Sequence, residues 1–281
     1  MTTNMSFRLL NVIIGLVSAI LLSPRAALAE TPLDISTPKN VKVSALLQPD
    51  GAKPSAASIA AAFDIDPDGL PAIADGTALK LIGTSQEMLS LGVLPIDDFA
   101  WMRDGKLLLI TQRHLASLSP KGVVLSLELP TAGMRLRPAG NNTAYIFGGT
   151  SEPTNHTVYL FARDQTVTKL ASLPSPVTAV AGDGTTTYIA SDKTILRTAW
   201  NQPPRLLLET RDPLISLEVA PHEGLFYATK SSVGYIDRNG DASEFLRGEG
   251  GSLRLRGSTL FVLLPSGNLL RFGPVEAFEQ R

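Results

Sequence analysis

Beyond about residue 58 the chain is written in short apolar runs, each four to seven residues long and rich in β-branched, aromatic and leucine side chains. Gly, Asp, Asn, Ser or Pro-Ser punctuates them. Such runs, with turn signals at every break, predict β-strands joined by tight connections. No stretch keeps a helical period for three turns, so the pattern predicts an all-β chain.

The strands recur. Leu70-Pro-Ala-Ile-Ala74, Leu107-Leu-Leu-Ile-Thr111, Thr143-Ala-Tyr-Ile-Phe147, Thr186-Thr-Tyr-Ile-Ala190, Leu225-Phe-Tyr-Ala-Thr229 and Leu260-Phe-Val-Leu-Leu264 align as the second strand of successive units. Their fourth residues lie 37, 36, 43, 39 and 35 apart. A period near 40 built from four short strands predicts a β-propeller of six four-stranded blades. The blades fall at roughly 58–94, 95–131, 132–175, 176–212, 213–250 and 251–281, with an extra segment, Gly148 to Thr157, in a surface loop of the third. Phe63-Asp-Ile-Asp-Pro-Asp-Gly-Leu70 aligns with Leu217-Glu-Val-Ala-Pro-His-Glu-Gly-Leu225, and Phe99-Ala-Trp-Met-Arg-Asp-Gly105 repeats the strand, turn and glycine.

The sixth blade ends too soon for a full outer strand, and an open sheet edge at the seam would invite unwanted pairing. Val41-Lys-Val-Ser-Ala-Leu-Leu47, in the Pro- and Ser-rich strap of residues 30–57, is long enough to supply it. It is therefore expected to close the ring as the outer strand of blade six; a seventh, partial blade is the rival arrangement.

The first 29 residues follow different rules. Arg8 precedes an uncharged run from Leu9 to Leu22, and Ala27-Leu28-Ala29 has the small-x-small form of a cleavage site. This pattern predicts a signal peptide and a periplasmic or secreted protein. The run is short of the roughly 20 residues that cross a bilayer, so no stable membrane anchor is expected after cleavage.

Composition narrows the chemistry. The chain is 44% hydrophobic and 18% charged with a net charge of −1, so it lacks the basic footprint of nucleic-acid binding. With no cysteine there are no disulfides and no thiolate chemistry. The three histidines, His114, His156 and His222, fall in different blades without ligand spacing and read as surface-loop residues. Asp64, Asp66 and Asp68 alternate in the manner of a calcium loop. The twelfth position is Asp75 rather than Glu, which favours a solvated turn. No metal and no cofactor is expected.

Units ending like Val233-Gly-Tyr-Ile-Asp-Arg-Asn-Gly240 resemble those of the NHL, SMP-30/gluconolactonase and streptogramin-lyase group of propellers over residues 58–281. That group includes lactonases and a lyase, so the resemblance implies a site of ionisable or metal-liganding side chains on the inner strands around the channel. No residue match to such a site is evident.

Charge on inner strands is the main candidate signal. Arg135 and Arg137 open blade three, Arg254 and Arg256 lie in blade six, Asp97 and Asp98 in blade two and Glu218 in blade five. Six-fold geometry sets blades three and six, and blades two and five, opposite each other. Unpaired charge is costly between blades, so these groups must form internal salt bridges or face a watery channel. In the second case Arg135, Arg137, Arg254 and Arg256 would form an anion-accepting mouth, since guanidinium forks suit carboxylates.

Two functions fit. One is an exported non-enzymatic scaffold binding a protein partner or small ligand outside the cytoplasm. The other is a metal-dependent lactonase or lyase, with Asp97, Asp98, Glu218 and His222 as its acid–base candidates.

Overall fold

The computed structural model describes residues 33–46, 62–82, 87–91, 94–119, 122–162, 166–199 and 202–280. The first 29 residues, the rest of the strap and Trp200 lie outside them. The described residues form six antiparallel sheets arranged as the blades of a ring. The inner strands, in blade order, are Phe63–Ile65, Asp98–Trp101, Met134–Ala139, Val177–Gly182, Leu214–Val219 and Ser252–Arg256. The second strands are Pro71–Asp75, Leu107–Thr111, Thr143–Gly148, Thr186–Ser191, Leu225–Thr229 and Thr259–Leu263, within a residue or so of the sequence alignment.

Blade packing explains their composition. A second strand is covered on both faces by its neighbours, which selects continuous apolar runs; all five residues of Leu225–Thr229 are buried. An outer strand faces water, and none of Arg205–Glu209 is buried. Six apolar clusters result, one at each blade interface.

Ring closure follows the sequence expectation. Lys42–Leu46 pairs antiparallel with Leu269–Gly273 as the fourth strand of blade six. Phe63, Ile65 and Ile73 then pack against Phe261, Leu263 and Leu269 to join blades one and six. Two further braces carry no repeat signal. Asp34–Ile35 adds a fifth strand to blade five, so the strap fastens blades five and six from outside. The C-terminal 3-10 helix Val275–Gln280 buries Phe278 against Phe226, Tyr235 and Phe245.

The Asp-x-Asp-x-Asp-Gly run ends in a turn whose tip, Pro67 and Asp68, is exposed as expected, but its first two acids are buried. Asp66 is buried, and its Oδ1 accepts the N–H groups of Asp68 (2.9 Å) and Leu70 (2.7 Å), which caps the turn completed by Gly69 at φ 86°. Asp64 is buried on the channel side. The inserted segment of blade three is a surface loop as expected, with a short 3-10 helix, Thr154–His156, in which His156 is half-buried rather than exposed.

Candidate functional site

Five of the six inner strands carry a buried or half-buried charged side chain near the axis: Asp64, Asp98, Arg137, Glu218 and Arg254. Blade four's inner strand, Val177-Thr-Ala-Val-Ala-Gly182, carries none.

Inner-strand side chains also tie neighbouring blades at three junctions. Asp64 Oδ2 accepts the Trp101 N–H of blade two at 2.8 Å, and Asp98 Oδ2 accepts the Leu136 N–H of blade three at 2.8 Å. Ser216 Oγ accepts the Leu253 N–H of blade six at 3.0 Å. The sequence separations of 37, 38 and 37 are the blade period itself. In these three inner strands one backbone donor is satisfied by the preceding blade, so these polar side chains are part of the ring's construction.

The charges pair across neighbouring blades, not across the channel as the six-fold argument suggested. Arg137 Nη1 lies 3.2 Å from Asp98 Oδ2. Arg254 reaches blade one, where Nε is 3.3 Å from Asp64 Oδ1, and blade five, where Nη1 is 3.7 Å from Glu218 Oε1. The contact to Asp64 lacks hydrogen-bond alignment at Nε. Inner strands converge toward the axis, and adjacent ones approach closely enough for side chains to meet before they can span the channel.

These groups floor a cavity of about 530 Å³. It opens on the face carrying the turns between first and second strands, with Arg103, Asp183, His222, Glu223 and Arg256 at the rim. Val180, Ala181 and Gly182 form its wall on the blade-four side. A Cβ on Gly182 would collide with the Tyr145 hydroxyl, which itself bonds Thr187 Oγ1 at 3.0 Å.

Four of the sequence candidates, Arg137, Arg254, Arg256 and Glu218, therefore line one cavity. Asp98 sits beneath it as the partner of Arg137. Arg135 and Asp97 lie outside: Arg135 donates to Thr178 O at 3.0 Å and both are exposed. Two residues along a strand is about 6.6 Å of rise, enough to take Arg135 out of the mouth that Arg137 lines. His222 joins the site at its rim, in the left-handed region at φ 54°. Asp64 was missed as a site residue. The signal was present, since aligning Phe63-Asp64-Ile65 with Leu217-Glu218-Val219 places Asp64 over Glu218.

Electrostatics distinguish the acids. Burial pushes Glu218 up to about 7, against the downward pull of Arg254, Arg137 and the Leu255 N–H. Burial also raises Asp64, opposed chiefly by Arg254 and then by the Trp101 N–H. Burial lowers Arg254 to about 10, reinforced by Arg137. A carboxyl that changes charge near neutrality thus sits on the floor beside two guanidiniums.

The residues do not fit a resident divalent metal. Among the described residues no three His, Cys, Asp or Glu side chains converge to hold one. Asp64 and Glu218, the two acids of the floor, both face Arg254, whose charge opposes a cation bound between them.

No family model and no curated protein matches the chain. Its fold is shared with solved propellers. A gluconolactonase from Xanthomonas campestris superposes with a TM-score of 0.62 at 14% identity, covering 86% of this chain and 94% of that one. Virginiamycin B lyase from Staphylococcus aureus gives 0.58 at 12% identity, covering 86% and 98%. The calcium-binding protein regucalcin from Agrobacterium tumefaciens gives 0.58 at 17%, covering 76% and 90%. The chain is similar to all three in architecture, a six-bladed β-propeller.

Proposed function

We propose that this chain is an exported propeller that binds a small polar ligand in the mouth of its channel. The observation that carries the reading is the cavity, which has the size of a small-molecule site and a floor of buried charge drawn from several blades. Buried charge in a ring is expensive, and the inner strand of blade four packs without any, so charge is not a general requirement of a blade. Export is supported by the Arg8, Leu9–Leu22 and Ala27-Leu28-Ala29 pattern, with which the cysteine-free composition is compatible. The partner is thus a small molecule of the periplasm or medium, in preference to a second protein.

The test is calorimetry of the purified protein against a panel of small carboxylates, amines and neutral polyols. Saturable one-to-one binding is expected for at least one class, changed by tenfold or more in Arg137→Ala, whose guanidinium lines the cavity, and unchanged in Arg135→Ala, whose guanidinium lies outside it. Binding that Arg137→Ala and Arg135→Ala affect equally would contradict the assignment.

A second reading, enzymatic turnover, is favoured by one observation: Glu218 is poised near 7, the range of a general acid–base. The similar solved structures include lyases and gluconolactonases, which is consistent with it. A ligand that Glu218→Gln still binds but no longer converts would select this reading.

A further inference from the structure

We infer that the ligand of this cavity carries a cationic amine, received by Glu218 on the channel floor. The inference rests on reading the cavity as a ligand site and names the chemistry that site would recognise.

The floor and its underlay hold three carboxylates, Asp64, Asp98 and Glu218, against two guanidiniums, Arg137 and Arg254. The pairing is uneven. Asp98 has Arg137 at 3.2 Å and the N–H groups of Leu136 and Phe99. Asp64 has Arg254 at 3.3 Å and the Trp101 N–H. Glu218 has the Leu255 N–H and only a share of Arg254, which at 3.7 Å lies farther from it than from Asp64, although its side chain is 19% exposed and lines the cavity. The network is one cation short, and the shortfall falls on the acid that a ligand can reach.

An anion meets the opposite situation. Both guanidiniums already face carboxylates, so a ligand carboxylate would add a fourth negative charge and compete for them with Asp98 or Asp64, which backbone hydrogen bonds hold in place. The rim does not reverse this balance, because Arg103 and Arg256 are offset by Asp183 and Glu223. Away from Glu218, the blade-four wall of Val180, Ala181 and Gly182 belongs to an inner strand without charge, past which an alkyl stem can run. An ammonium with a short hydrocarbon tail meets both halves.

Proton linkage supplies a signature. Glu218 titrates near 7 among Asp64, Arg137 and Arg254, with Asp98 behind Arg137. A cation favours its ionised form, so binding releases a proton below that point. Affinity should rise about tenfold from pH 6 to pH 8, as the ionised fraction does. His222 stands at the rim of the same cavity and serves as the control.

The experiment is isothermal titration of the protein with butylammonium and with butyrate at pH 6, 7 and 8. Butylammonium is expected to bind one-to-one and about tenfold more tightly at pH 8 than at pH 6, with butyrate at least tenfold weaker. His222→Gln should keep the pH dependence. Glu218→Gln, near-isosteric and checked by circular dichroism, should lose both binding and pH dependence. Tighter binding of butyrate would overturn the inference while leaving the cavity a ligand site, as would binding of neutral polyols alone. Binding of butylammonium that Glu218→Gln leaves intact, or that disappears with His222→Gln, would also overturn it.

Discussion

The interfaces on either side of blade six are built in opposite ways. Toward blade five, an apolar cluster unites Phe226, Tyr235 and Phe245 with Phe272 and Phe278, braced outside by the strap and at its end by the C-terminal helix. Toward blade one, six buried side chains make a small cluster, and the inner edge is held by the Arg254–Asp64 pair. The heavily braced interface is where the strap and the C-terminal helix are secured; the lightly packed one holds the nearer carboxylate of Arg254, Asp64 at 3.3 Å, against 3.7 Å to Glu218 on the braced side. Packing can therefore hold the ring while inner-strand positions serve the cavity.

If that division is right, the largest loss should come from the aromatic side. Phe278→Ala removes a buried ring in contact with three others. It should cost about 4–5 kcal/mol, toward the upper end for such truncations, read from urea unfolding. Arg254→Ala breaks a buried pair, a change that ordinarily costs about 3–5 kcal/mol. A value near the lower bound is expected because Glu218 can take up a proton when its guanidinium is removed. A greater loss from Arg254→Ala than from Phe278→Ala would reverse the comparison.

The smallest effect is a pH dependence. Glu218 rises from 4.5 to about 7 on folding, so the folded chain binds the extra proton between those values. Its favourable contribution is complete below about 4.5 and is lost as the pH climbs through 7. The stability of Glu218→Gln relative to the parent should accordingly be greater at pH 8 than at pH 5.5, measured by parallel urea titrations. Taking the difference cancels the other titrating groups. A difference independent of pH would remove Glu218 from the buried network.

The fold was legible because each blade repeats one packing problem. The aligned runs at Leu107, Thr143, Thr186 and Leu225 are apolar for the reason that makes them second strands, burial on both faces. The ring-closing strand was legible as the missing outer strand of blade six. Asp34–Ile35 and Val275–Gln280 were not, since two residues and a short 3-10 turn carry no period to read. In the site, the inner-strand charges were found but their partners were misplaced. Sequence gives the blade that holds Arg254, whereas reach decides that it meets Asp64 and Glu218 in adjoining blades. Asp64 was read with the turn that follows it, although Asp66 does the capping.

The channel floor's shortage of one cation is tested most directly by carbon-detected NMR titration of the side-chain carboxyls, with the Glu218 resonance assigned from Glu218→Gln. A midpoint close to 7 that falls when butylammonium is added is expected. A midpoint near 4, the ordinary range for glutamate, unmoved by the amine, would contradict the account.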